Sequence, residues 1–135
     1  MKIQRSSEDY LEAMLMLQQS RGYIRSSDVA DQLKVTRPSV SSAVHRLKEN
    51  GYLTMDEASL IELTDSGMRI ASSVYRRHRV LTRIFEAMGV TPETARADAC
   101  KIEHDISEET FDALCRCADR FAPETPDSIK QGEDS

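Results

Sequence analysis

The chain has 135 residues and a net charge of −5, unevenly divided: residues 1–50 carry 8 Lys+Arg against 6 Asp+Glu, and residues 51–135 carry 10 against 17. This length fits one compact unit or a small core enlarged by a dimer interface. With no long apolar run, and no apolar region behind the polar Met1–Ser7 segment, neither a membrane span nor a signal peptide is expected, and the expected location is the cytoplasm.

From Glu8 to Ser20, the residues Tyr10, Leu11, Met14, Leu15 and Leu17 recur at helical spacing, with Ser6 or Ser7 as the expected N-cap and Gly22 as the stop. A short helix, Ser27–Leu33, follows Ser26 and packs through Val29, Ala30 and Leu33; Lys34–Val35 is a tight connection. Thr36 caps the next helix, where Pro38 falls in the first turn and its missing N–H costs no bond. Val40, Ala43, Val44 and Leu47 form its buried stripe up to Asn50–Gly51. Two helices so closely joined make a helix-turn-helix. Tyr52–Met55 and Leu60–Leu63 then alternate around Asp56–Ser59, which predicts a short β-hairpin, or wing.

Thr64 caps a long helix reaching Met88, with Met68, Ile70, Ala71, Val74, Val80, Leu81, Ile84 and Phe85 as its apolar residues and Gly89 as its end. Its length without a large core predicts a partner subunit. Thr91 and Pro92 open a helix running to about Ile106, and Ser107 caps a last one, Glu108–Phe121. Pro123, Pro126 and Gly132 predict a flexible tail beyond it.

The basic excess of the first half suits nucleic acid. Around the buried stripe of the 37–50 helix stand Arg37, Ser39, Ser41, Ser42, His45 and Arg46: short hydroxyls able to approach phosphates or base edges, and cations for phosphate or guanine. Thr36 and Pro38 open this helix, whose first N–H groups favour an anion, and Arg25 and Ser27 complete the DNA-contacting set. The plainer alternatives are a helix pair serving only as a packing unit and a partly buried, hydrogen-bonded His45. Asp56 and Glu57 at the hairpin tip would repel phosphate, which argues against wing contact.

Cys100, Glu103 and His104 fall at i, i+3 and i+4, so one helical face can present thiolate, carboxylate and imidazole to a divalent cation. Asp9 and Glu12 share a face of the first helix, and His78 lies within the 65–88 helix. A metal drawing on all three helices would offset the repulsion and desolvation of clustered carboxylates. Taken singly, each residue has a blander role: Asp9 and Glu12 serve the helix dipole and solvent, and Cys100 fills a core. The three cysteines, at 100, 115 and 117, fit neither a disulfide framework nor a Cys-x-x-Cys zinc ribbon, so reduced thiols are expected. Cys115 and Cys117, on different faces, are left out of the ligand set.

In this order, Asp9-Tyr10-Leu11-Glu12, the winged helix-turn-helix, Tyr75-Arg76-Arg77-His78 and Cys100-Lys101-Ile102-Glu103-His104 resemble the diphtheria-toxin-repressor family of metal-activated bacterial transcriptional repressors. The resemblance spans about residues 5–121. It implies a mainly α protein: a winged helix-turn-helix DNA-binding domain at 1–64, a helical metal-binding and dimerisation domain at 65–121, a flexible tail at 122–135, and no SH3-like third domain. In this it is most similar to the short manganese transport regulators.

Carried over residue by residue, the resemblance implies Asp9, Glu12, His78, Glu103 and His104 as ligands of a manganese-type binuclear site, bridged by Asp9 and Glu103. Cys100 departs from that pattern, standing where a glutamate is usual and resembling the cysteine of the iron-type primary site, whose members have methionine in place of Asp9. Thr82 and Arg96 stand where the iron-type ancillary site has glutamate and histidine, so that site is not expected. Mn(II) is the expected activator and Fe(II) the second choice, with Co(II) or Zn(II) able to bind in vitro. The implied partners are palindromic double-stranded operator DNA at metal-uptake genes and a second copy of the chain, with no membrane and no organic cofactor. The rival classes are a metal-independent winged-helix regulator and a metallohydrolase; the chain offers the latter no glycine-rich substrate loop.

Overall fold

The computed structural model describes residues 5–121, and the expected tail at 122–135 lies outside them. The element order is α1 (Arg5–Arg21), α2 (Ser26–Leu33), α3 (Arg37–Glu49), β1 (Leu53–Met55), β2 (Ile61–Leu63), α4 (Asp65–Ala87), α5 (Pro92–Ile102) and α6 (Glu108–Phe121). Two compact units divide between Ser73 and Val74, inside α4. Among the described residues no helix is long and apolar enough to cross a membrane.

In the first unit, α1, α2 and α3 pack on one another through Leu11, Met14, Val29, Val40 and Leu47, each at most 1% exposed. α1 begins at Arg5, so Ser6 and Ser7 lie in its first turn and do not cap it; Ser7 is buried there. N–H groups of a first turn have no intrahelical partner in any case, so serines fit inside it as well as ahead of it. Gly22 takes φ +82° and its N–H bonds the Gln18 carbonyl at 2.9 Å, closing α1.

α2 starts at Ser26, with Arg25 and not Ser26 at the cap position and no side-chain cap bond. The cause is the wing: Arg25 is extended and pairs as a β-bridge with Leu60, while the Ile61 N–H bonds the Ile24 carbonyl at 2.9 Å. Lys34, left-handed at φ 57°, turns the chain into α3. There Thr36 is the cap, its Oγ1 accepting from the Ser39 N–H at 3.3 Å. β1 and β2 pair antiparallel, Leu53 with Leu63 and Met55 with Ile61.

Thr64 joins the wing to α4: its hydroxyl donates to the Gly51 carbonyl at 2.7 Å and accepts from the Gly67 N–H at 3.2 Å. This brings the helix so near the Tyr52 backbone that a Cβ on Gly67 would stand 2.0 Å from the Tyr52 carbonyl oxygen.

In the second unit, Val74, Val80, Leu81, Ala95, Ala99, Phe111 and Ala118 are buried. Gly89, at φ +100°, follows the end of α4, and Ser107 caps α6 by accepting from the Thr110 N–H at 3.1 Å. α5 stops at Ile102, four residues short of the expected Ile106. The Glu103 N–H still reaches Ala99 at 2.9 Å, and the Ile102 carbonyl then takes two N–H groups, that of Asp105 in a tighter i→i−3 bond at 3.0 Å and that of Ile106 in a longer i→i−4 bond at 3.3 Å, where the regular helix gives way. Glu103 and His104 therefore sit in a turn.

Gly67→Ala is expected to cost about 1–3 kcal/mol or more by overpacking a backbone contact that cannot swing aside. Urea unfolding of the variant measures this, and a stability equal to that of the native chain would mean that α4 does not approach Tyr52 so closely.

Candidate functional site

The second unit buries a carboxylate between two imidazoles. The Glu103 side chain is 0% exposed, that of His104 1% and that of His78 22%. His78 reaches the turn from α4, and its Nδ1 lies 2.8 Å from Glu103 Oε2. An ionised carboxylate only accepts, so Nδ1–H is the donor, and a neutral His78 then carries its lone pair on Nε2. Glu103 Oε1 lies 3.3 Å from His104 Nε2 and makes no hydrogen bond among the described residues, although it is buried. Burying a carboxylate oxygen without a hydrogen bond is costly and rare, and a cation is one of the few groups that offsets it. One carboxylate and two imidazoles are the donors that first-row divalent ions take. The residues fit such an ion.

The backbone of this turn is held by Arg77, whose Nη1 donates to the Glu103 carbonyl at 3.2 Å and to the Ile106 carbonyl at 2.8 Å. The sequence displayed the run Arg76-Arg77-His78-Arg79 but not which arginine turns inward.

Cys100 does not share the burial of its neighbours. It lies on α5 and is exposed, whereas Glu103 and His104, just past the helix end, are buried. Cys115 is half-buried and Cys117 exposed. Burial pushes the Cys115 thiol above its ordinary range, with Arg76 opposing and Asp112 and Asp119 adding to the rise. In the first unit, Asp9 and Glu12 lie three residues apart on α1; Asp9 is half-buried and Glu12 buried, at 9% exposure.

The first unit presents a second candidate surface. Thr36, Arg37, Pro38, Ser39, Ser41, Ser42 and His45 are exposed, Arg46 is half-buried, and Arg25 and Ser27 flank the start of α2, Arg25 exposed and Ser27 half-buried. Val40, Ala43, Val44 and Leu47 occupy the opposite, buried side of α3. The Thr36 and Ser39 hydroxyls are 2.8 Å apart, His45 Nε2 pairs with Glu49 at 3.0 Å, and the Arg25 guanidinium lies 5.0 Å from the Tyr23 ring centroid. Asp56, one of the two acidic residues at the wing tip, is used locally: its Oδ1 accepts the N–H groups of Ala58 and Leu60, each at 2.9 Å.

Known proteins match this arrangement along almost the whole chain. Residues 2–59 match the model of the iron dependent repressor N-terminal DNA binding domain, and residues 64–126 that of the iron dependent repressor metal binding and dimerisation domain. The chain is 33% identical over 130 residues to the HTH-type transcriptional regulator MntR of Lysinibacillus sphaericus (strain C3-41), covering 96% of this chain and 93% of that protein. The solved structure of the manganese regulator SloR superposes with a TM-score of 0.74 at 26% identity over 84% of this chain. A manganese-dependent transcriptional repressor in complex with manganese gives a TM-score of 0.73 at 25% identity over 87% of this chain. The chain spans about half the length of these two solved proteins, 53% of each.

His78→Ala removes the one hydrogen bond to Glu103 Oε2 from α4 and is expected to destabilise the metal-free protein by about 1–3 kcal/mol. Urea unfolding with a chelator present checks this; an unchanged midpoint and slope would show that the pair contributes nothing.

Proposed function

The chain belongs to the iron-dependent repressor family and is a metal-dependent, DNA-binding transcriptional repressor, and from that premise we propose that Mn(II) is its activating ion, held by Asp9, Glu12, His78, Glu103 and His104. The observation that carries the reading is the buried Glu103 carboxylate, with one oxygen bonded to an imidazole and the other, beside a second imidazole, making no hydrogen bond among the described residues. Asp9 and Glu12 join the set because they share a face of α1, because Glu12 is buried, and because their motif matches the family's first-helix ligands. A divalent ion bound by these groups supplies the positive charge that offsets repulsion among three carboxylates.

Oxygen and imidazole donors suit Mn(II), and two relatives are named for manganese. The exposure of Cys100 supports leaving the thiol outside the ligand set. Fe(II) is the second reading. It is favoured by that same cysteine, one turn before Glu103, since a thiolate drawn inward raises affinity for Fe(II) over Mn(II).

Asp9 and Glu12 belong to the helix that packs against α2 and α3, so whatever restrains these carboxylates restrains the reading head. In a two-fold dimer the two α3 helices must reach successive major grooves about 34–36 Å apart. Mutually repelling carboxylates leave fewer molecules in that arrangement, and operator affinity falls in proportion. The Thr36–Arg46 surface supplies hydroxyls and cations for phosphates and base edges, with Arg25 and Ser27 beside it. A two-fold protein calls for a palindromic operator, and a repressor answering to a metal closes a feedback loop when it controls metal uptake. These roles place it in the cytoplasm, as a regulator and not an enzyme.

Titrating Mn(II) into gel-shift reactions with operator DNA is expected to raise affinity at least tenfold, and Glu103→Ala to abolish the rise while the circular dichroism stays helical. A native chain whose DNA affinity ignores both Mn(II) and chelator would sink the proposal in favour of a metal-independent regulator.

A further inference from the structure

Arg77 and His78 are consecutive on α4 and grip one residue by its two ends. His78 Nδ1 meets the Glu103 carboxylate at 2.8 Å, while Arg77 Nη1 donates to the Glu103 carbonyl at 3.2 Å and to the Ile106 carbonyl at 2.8 Å. The Arg77 guanidinium lies 5.3 Å from the Phe111 ring centroid, and Phe111, on α6, is 4% exposed, so the cation stands against a fixed wall. The carbonyls it takes lie just past the end of α5, where the helical ladder offers them no partner.

We propose that Arg77 is a positioning residue for the metal ligands. By fixing the backbone of residues 103–106 it sets where the Glu103 carboxylate and the His104 imidazole stand, and through them the affinity for the ion and the choice among ions. The inference rests on the metal reading of this site. Arginine suits the task because its flat, forked guanidinium bonds acceptors in plane while its face lies on a ring. Arg76 provides an internal contrast. Its guanidinium is also 5.3 Å from the Phe111 centroid, yet its hydrogen bond goes to Cys115 Sγ at 3.9 Å, away from the ligands.

Preset geometry matters most for the weakest binder. Mn(II) stands lowest in the intrinsic affinity order of first-row divalent ions, so it depends on ligands already in place. Zn(II) accepts four adaptable donors and tolerates a looser turn. Loosening residues 103–106 therefore lowers Mn(II) affinity more than Zn(II) affinity.

The test uses the full chain with Arg77→Met, Arg77→Lys and Arg76→Met. It reads Mn(II) binding by electron paramagnetic resonance, Zn(II) binding by chelator competition, and amide hydrogen exchange of residues 103–107 in the metal-free protein. Arg77→Met is expected to lower Mn(II) affinity by about tenfold to a hundredfold, with a smaller loss for Zn(II) and faster exchange. Arg77→Lys keeps the charge but not the fork, falls between Arg77→Met and the native chain, and carries the test where the methionine variant does not fold. Arg76→Met leaves all three readouts unchanged. Either Arg77 variant binding Mn(II) and exchanging like the native chain overturns this proposal alone, whereas a native chain that takes up no Mn(II) overturns the metal reading and this proposal together.

Discussion

Glu103 is a carboxylate with 0% of its side chain exposed, and the second unit is arranged around that constraint. An ionised group of this kind is tolerated in an interior only if each oxygen finds a compensating charge or donor. His78 supplies one from α4, and His104, the next residue in the chain, lies beside the other. The pair stands at the end of α5: Glu103 keeps helical backbone angles, its N–H still reaches the Ala99 carbonyl at 2.9 Å, and the regular helix stops at Ile102. Both side chains are buried just past that end. The Glu103 and Ile106 carbonyls past the helix end then need a donor, which Arg77 provides.

Much of this was legible in the residues. The stops at Gly22 and Gly89, the Thr36 and Ser107 caps and the alternating wing are local signals, each set by a few neighbouring side chains, and the structure bears them out. The second helix starts one residue before the expected Ser27, and its cap position falls to Arg25, whose extended backbone bridges to Leu60, thirty-five positions away in the chain. The expected end of α5 differs as well. Nothing between Glu103 and Ile106 is a glycine or proline, so no local residue announces the break, and the donor that the freed carbonyls find is Arg77, distant in sequence. The i, i+3, i+4 spacing put Cys100, Glu103 and His104 together, and it carries no information on burial, which separates an exposed Cys100 from a buried Glu103 and His104.

The wing tip has a local use for one of its two acidic residues. An acidic tip seems hostile to DNA, yet Asp56 Oδ1 accepts two backbone N–H groups, from Ala58 and Leu60, that the tight turn would otherwise leave without partners. Asp at such a position is turn chemistry, and its charge is partly offset by the dipoles it accepts. On α3, by contrast, the exposed side is crowded with small hydroxyls, and its one acidic residue, Glu49, is paired with His45 at 3.0 Å near the far end of the helix. The field presented by the first two turns of α3 is therefore set by Arg37 and by the helix N-terminus, both favourable to phosphate.

The identity of the ion turns on rigidity more than on the list of donors. Carboxylate and imidazole groups bind every first-row divalent ion more tightly than Mn(II) if they are free to rearrange, so a floppy site built from these residues would answer to zinc or iron. A site favours Mn(II) only by holding its donors where the smaller coordination shell of a competitor is strained. Fixing Glu103 at both its carbonyl and its carboxylate, from two consecutive residues of one helix, is the kind of restraint that such discrimination requires. A thiolate ligand would work in the opposite direction, since sulfur binds softer ions whatever the angle, and a side chain on the exposed surface of α5 is well placed to stay out of the competition. On the proposed reading, the burial of Glu103 and the exposure of Cys100 favour the same ion: one presents a hard donor in a fixed place and the other keeps a soft one at the surface.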